Sequence, residues 1–199
     1  MSIMSYTRLA SLLLLGLLAC GTTDRRIDPD QPDEVGGAVL DSQDIRAMAS
    51  KMSRDLVADG VLRPDTQGRR TSFYVTRLRN DSSEPIDTEM ILTMIRTEIF
   101  AAMGRQVQIL DRSKESAEEV LSERAAKRSG AVTKKDEKGL AGADYVLKGT
   151  IKERLKQSDK LRSVYYLVTF DLVDLESQEL SWTKNYEVKF ESEKSVITR

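Results

Sequence analysis

Val164-Tyr-Tyr-Leu-Val-Thr-Phe-Asp-Leu-Val-Asp174, the linker Asp174-Leu-Glu-Ser-Gln178, and then Leu180-Ser-Trp-Thr-Lys-Asn-Tyr-Glu-Val-Lys-Phe190 read as two strands of a hairpin. The second strand is the clearer. Leu180, Trp182, Tyr186, Val188 and Phe190 alternate with Ser181, Thr183, Asn185, Glu187 and Lys189, the period of a strand with one buried and one wet face. Trp182 falls on the apolar side, so it is expected to be buried or half-buried and structural. A third strand-like segment, Asp144 to Ile151, precedes the pair.

Working upstream, the periodicity changes to helical. Asp41-Ser-Gln-Asp44 has the form of an N-cap with an acid three residues on, followed by Ile45, Met48, Met52 and Leu56 at helical spacing and a stop at Gly60. Thr71–Leu78 predicts a strand and Asn80–Pro85 a loop. A second helix starts at Asp87, with Ile86 and Ile91 placed as a hydrophobic staple. Its buried stripe is Ile91, Ile95, Ile99 and Met103, and Gly104 ends it. Val107–Leu110 is a short strand. Ser113 caps a third helix with a narrow apolar face of Ala117, Val120, Leu121 and Ala125, and a polar stretch follows to Gly139. The order α-β-α-β-α-β-β-β gives an α+β domain, a mixed sheet flanked by helices, without internal repeats.

Composition narrows the chemistry. The chain has 199 residues, a formal net charge of -1, no histidine and one cysteine, Cys20. Ser-His-Asp and Cys-His nucleophile systems are therefore excluded, and no intramolecular disulfide can form. No glycine-rich phosphate loop is present; Gly139-Leu-Ala-Gly142 lacks the lysine and the spacing. Nothing in the charge balance points to nucleic acid. No cofactor or metal site is expected, and the chain does not read as an enzyme; the abundant acids make a carboxylate-dependent envelope hydrolase the third reading. Arg124, Lys127, Arg128, Lys134, Lys135 and Lys138 form a basic cluster at and after the end of the third helix. It is either a solvated helix end that suits cations or a docking patch for an acidic partner.

The N-terminus carries its own signal. Arg8 precedes the apolar run Leu9–Leu18, too short to span a bilayer as a helix. Leu17-Leu-Ala-Cys20, followed by Gly21, resembles the bacterial lipobox. That resemblance implies a signal peptide over residues 1–19 and a diacylglycerol on the Cys20 thiol, with palmitate-type acylation of the new amino group. Gly21 in place of aspartate implies sorting to the outer membrane. Multiple acyl chains give stable anchoring where one would not. Residues 20–40, rich in Pro, Gly and Asp, read as a tether, reaching at most about 70 Å extended and roughly 25 Å as a coil. Residues 41–199 read as the globular domain.

Gly36-Gly-Ala-Val-Leu-Asp-Ser-Gln-Asp-Ile-Arg46, Met48-Ala, Lys51-Met-Ser, Gly142-Ala-Asp-Tyr-Val-Leu-Lys-Gly149 and Leu180-Ser-Trp-Thr-Lys-Asn-Tyr186 together resemble the penicillin-binding-protein activator LpoB family. The resemblance covers most of the chain from the lipobox to near residue 190. It implies a fold like the N-terminal domain of TolB and an outer-membrane lipoprotein of the periplasmic face. It further implies binding to a class A penicillin-binding protein, the bifunctional peptidoglycan synthase, and stimulation of cell-wall synthesis without catalytic residues of its own. The tether is shorter than is typical of that family. A structural part in an envelope assembly or curli-type secretion apparatus is the alternative.

The lipid assignment predicts that Cys20→Ala yields soluble, unlipidated protein. Continued partition with membranes after a high-salt wash would show that the anchor lies elsewhere.

Overall fold

The computed structural model describes residues 25–29, 31, 33, 37, 39–133 and 139–193. The chain divides into two units, Met1–Gln31 and Pro32–Arg199, and the second holds every element discussed below. Cys20 and the rest of the signal segment lie outside the described residues, as do Lys134, Lys135 and Lys138.

The elements are α1 (Ser42–Ala58), β1 (Thr71–Asp81), α2 (Thr88–Met103), β2 (Val107–Ile109), α3 (Lys114–Ser129), β3 (Tyr145–Gln157), β4 (Leu161–Asp174) and β5 (Leu180–Glu193). This is the α+β order that the periodicity predicts. The sheet runs β2-β1-β3-β4-β5. β1 is parallel to both neighbours, while β3, β4 and β5 form an antiparallel meander. Parallel neighbours require crossovers, which the segments containing α2 and α3 supply, whereas the antiparallel strands need only tight turns.

The helix starts follow from local chemistry. The Asp41 carboxylate accepts from the Asp44 backbone N–H at 2.8 Å and the Asp44 carboxylate accepts from the Asp41 N–H at 3.3 Å, closing a capping box on α1. Asp87 caps α2 by accepting from the N–H groups of Glu89 and Met90. Ile86 is half-buried against the core and Ile91 fully buried, as the staple requires. The two helices meet where α1 is small. Ala49 and Ser53 are buried, and the Ser53 hydroxyl donates back to the Ala49 carbonyl at 2.8 Å, with the α2 carbonyl of Ile95 at 3.4 Å. Gly60, at φ +72°, turns the chain out of α1 in a conformation that L-residues resist.

α1 and α2 cover one face of the sheet. Beneath them lie Phe73 and Leu78 of β1, Leu147 and Ile151 of β3, Val164, Tyr166, Val168, Phe170 and Leu172 of β4, and Trp182 of β5. Trp182 is 7% exposed, and its indole N–H donates to the Asp59 carboxylate at 2.8 Å, so its one polar atom is satisfied at the end of α1. That hydrogen bond, with a second from Lys184, holds the Asp59 carboxyl below its ordinary range. The tryptophan is structural, as its place in the alternation predicts.

Several boundaries differ from the sequence reading. β1 continues through Asn80 and Asp81, where a loop was expected. The loop is instead Ser82–Asp87, tied to β3 by Ser83, whose N–H and hydroxyl both donate to Glu153 at 2.7 Å. β3 runs on to Gln157 and β4 starts at Leu161, joined by a short turn in which the Ser158 N–H donates to the Leu161 carbonyl. Polar residues beyond Ile151 hide this extension, because both faces there approach solvent. Leu180 is 52% exposed, contrary to its place in the apolar row. The register slips between Leu172↔Trp182 and Val173↔Leu180, leaving Ser181 as an extra residue. That bulge turns Leu180 to the face opposite Trp182. Finally, none of α3 is buried: Val120 is 40% and Leu121 61% exposed, and Ala117 and Ala125 are exposed too. A stripe this narrow contributes too little burial to draw the helix inward.

At the N-terminal border, Leu40 is half-buried against the core, and Asp33 accepts from the backbone N–H and hydroxyl of Ser42 at 3.1 and 3.2 Å. Ordered contacts therefore extend upstream of Asp41.

A second bulge, between Val75 and Leu78 of β1, brings Leu78 opposite Gly149. A Cβ at Gly149 would stand 2.8 Å from Leu78 Cδ1, 2.8 Å from the Thr169 carbonyl oxygen and 3.0 Å from Phe170 Cδ1. Gly149→Ala is expected to cost about 1–3 kcal/mol through overpacking, and Trp182→Ala about 3–5 kcal/mol through lost core volume. Chemical denaturation measures both, and a wild-type midpoint for either variant would contradict the packing described.

Candidate partner-binding surface

Of the basic cluster, the described residues Arg124, Lys127 and Arg128 lie in the last turns of α3. The Ser113 hydroxyl caps the other end by accepting from the Ser116 N–H at 3.2 Å. Arg124 and Lys127 are half-buried and Arg128 exposed, and the Lys127 ammonium pairs with Glu123 at 3.1 Å. Arg112 donates to the Ala141 carbonyl, joining the segments that enter and leave the α3 excursion. These three cations thus sit on a helix with no buried side chain, accompanied by the exposed Val120 and Leu121.

The structure brings together a second group of cations that the sequence reading missed. Pairing through β3 and β4 is unbroken from Tyr145↔Asp174 to Gln157↔Arg162. With Leu147, Gly149 and Ile151 facing the helices, Lys148, Lys152, Arg154 and Lys156 all face the other way. On β1, Arg79 lies beside Thr150, and the bulge places Thr76 and Arg77 alongside Lys148. A shallow groove on this face is lined by Tyr74, Thr76, Arg77, Arg79, Lys148 and Asp171. Neutralisation is partial. Arg79 pairs with Asp81 at 2.8 Å, and Lys148 stands across from Asp171. The signal was available in Lys148-Gly-Thr-Ile-Lys-Glu-Arg-Leu-Lys156, where cations recur at even positions; it becomes visible once β3 is carried beyond Ile151.

Asp144 holds β1 and β3 side by side beneath this face. Its carboxylate accepts from the Ser72 backbone N–H at 2.7 Å and from Arg69 at 2.8 Å, and the Ser72 hydroxyl lies 2.8 Å away. Its own N–H donates to the Ser72 carbonyl at 2.8 Å. Burial pushes the Asp144 carboxyl up, but the Arg69 guanidinium and the Ser72 donors outweigh it and hold the group below the ordinary carboxylate range.

Asp65, Asp111, Asp174, Glu153 and Glu191 are likewise held down by hydrogen bonds, each as an acceptor in a loop, turn or ion pair. Among the described carboxyls, Asp44 alone is pushed up, by burial and then by its neighbour Asp41, and it is the N3 acid of the α1 capping box. These carboxylates are engaged as acceptors within the fold. Among the described residues, no group of acids or cysteine is arranged to hold a metal ion, and no helix is long and apolar enough to cross a membrane.

The family model described as peptidoglycan-synthase activator LpoB matches residues 44–188. The chain belongs to the LpoB family. That span takes in α1 through most of β5, including both cationic groups. No curated protein matches the chain. Among solved structures, it is similar to the LpoB C-terminal domain from Salmonella enterica at 15% identity, over 72% of this chain and 94% of that one, with a TM-score of 0.38. The LpoB C-terminal domain from Escherichia coli aligns at 18% identity over the same shares, with a TM-score of 0.38. Lipoprotein GNA1162 from Neisseria meningitidis aligns at 14% identity, over 61% of this chain and 84% of that one, with a TM-score of 0.38.

The Asp144 clamp gives a pH-dependent prediction. Because its folded pKa is lowered, its contribution to stability is present above the unfolded carboxylate value, about 3.9, and is lost as pH falls through the folded value. Asp144→Asn should cost about 1–2 kcal/mol at neutral pH, and the gap to the unsubstituted protein should narrow in acid. Denaturation midpoints at pH 7 and pH 3 measure it; a gap that widens in acid contradicts the assignment.

Proposed function

We propose that this member of the LpoB family is an outer-membrane-anchored lipoprotein that binds a class A penicillin-binding protein from the periplasm and stimulates peptidoglycan synthesis. The observation that carries the reading is the family match, which spans the folded unit from α1 into β5. The residues fit an activator that works through its surface. The chain has no histidine, its one cysteine stands at the lipobox, and its shifted carboxyls are structural acceptors. Signal peptide 1–19, lipidated Cys20, tether 20–40 and globular domain 41–199 form the proposed layout.

Two cationic groups are the candidates for meeting an acidic partner: Arg124, Lys127 and Arg128 at the end of α3, with Lys134, Lys135 and Lys138 next in the sequence, and the β1–β3 face with Arg77, Lys148, Lys152 and Arg154. The β1–β3 face is the better built, since a sheet holds its charges in fixed register, whereas α3 buries nothing. Charges so placed accelerate association and set its salt dependence more than they add affinity.

The test is to add the purified protein to a class A synthase from the same organism and follow glycan polymerisation, which should rise. Reversing Lys148, Lys152 and Arg154 to glutamate should slow association and flatten its salt dependence more than reversing Arg128, Lys134 and Lys135. The opposite ranking would move the contact to α3. Failure to bind any such synthase would remove the activator reading.

A further inference from the structure

We propose that two copies of this chain pair edge to edge through β5, antiparallel about a two-fold axis at Val188, to make one continuous sheet. β5 is the outermost strand; it pairs with β4 from Leu180 to Glu193, and among the described residues no strand pairs with its other edge. Edge strands are normally blunted by shortness, proline or a bulge that twists them away. The opposite edge follows that rule, since β2 has 3 residues. β5 has 14 residues and no proline, and its bulge lies at its very start, at Ser181. From Trp182 onward the edge is regular.

This edge is also apolar on one side. Tyr186, Val188 and Phe190 pack against the core yet remain half-buried, and Phe190 meets Tyr166 edge-on at 6.2 Å between ring centres. The helix-side layer therefore ends abruptly at β5, where a further strand would complete it.

The occupant is selected by charge. A second β5 that keeps helix-side residues on the helix side must have its two-fold axis at a residue, and each choice sets different residues opposite one another. An axis at Glu187 sets Glu187 against itself. One at Lys189 sets Lys189 against itself and Glu187 against Glu191. One at Phe190 sets Lys189 against Glu191 twice but also opposes Glu187 and Glu193 twice. Axes at Asn185 or Tyr186 form no ion pair and place Lys184 against Tyr186 or Val188. The axis at Val188 sets Glu187 against Lys189 twice with no like charges opposed; the Lys189 ammonium, exposed and 2.7 Å from Glu191 of its own strand, is then shared with Glu187 of the second copy. It also sets Tyr186 against Phe190 twice and Val188 against itself. Opposed charges and aromatic pairs are the units that stabilise strand pairing. Edge charges usually repel a second strand; here their order attracts an antiparallel copy of the same one.

Directly opposed residues in an antiparallel pair have Cα atoms about 4.5–5.5 Å apart, within disulfide reach. Val188→Cys in the full chain, mildly oxidised, should therefore give a disulfide-linked dimer several-fold more abundant than Thr183→Cys, since Thr183 faces Glu193 in this register. The unsubstituted chain, with Cys20 alone, sets the background. Adding Lys189→Glu to Val188→Cys should suppress the dimer, and adding Glu187→Lys as well should restore it. Sedimentation of the cysteine-unsubstituted chain in detergent should show a dimer that Lys189→Glu abolishes. Equal cross-linking at Val188 and Thr183, or a sedimenting species indifferent to Lys189→Glu, overturns the proposal.

Discussion

The structure depends on the row Val164, Tyr166, Val168, Phe170 and Leu172, which β4 presents to the helices in unbroken alternation. β4 is hydrogen-bonded on both sides, so its register sets that of β3 and β5 alike. A slip by one residue would turn this whole row to water and Tyr165, Leu167, Thr169 and Asp171 inward, at a cost of many buried side chains. Once β4 is held, Leu147 and Ile151 of β3 and Trp182 of β5 are committed to the same layer.

That commitment divides the protein by face. The helix side carries stability; α1 and α2 close over it where Ser53 of α1 approaches the Ile95 carbonyl of α2, and Asp59 beyond α1 accepts from Trp182. The other side is left with residues of opposite parity, and on β1 and β3 these are largely cationic. A surface activator needs such a separation, because charges that meet a partner can vary without disturbing the core. α3 stands outside the scheme, since the chain must travel between parallel strands and the helix that makes the journey buries none of its side chains.

Both bulges fall where alternation breaks. At Ser181 the extra residue sends Leu180 to the solvent face. In β1 it brings Thr76 and Arg77 together beside Lys148 and returns Leu78 to the core over Gly149. The glycine closing Gly142-Ala-Asp-Tyr-Val-Leu-Lys-Gly149 thus has a steric reason: Leu78, Phe170 and the Thr169 carbonyl occupy the space a methyl group would need.

The sequence by itself determined the element order, the capping residues Asp41, Asp87 and Ser113, the stripes of α1 and α2, the burial of Trp182 and the α+β class. These depend on local hydrogen bonds and on periods of 2 and 3.6 residues, and both can be read along the chain. Only the tertiary structure decided that β3 extends to Gln157, that Lys148, Lys152 and Arg154 share a face with Arg79, that Leu180 points outward, and that the apolar stripe of α3 stays wet. Each of these turns on which strand lies alongside which and on where a bulge shifts the phase. Both are set by contacts between residues distant in sequence, to which the local pattern of hydrophobicity is blind.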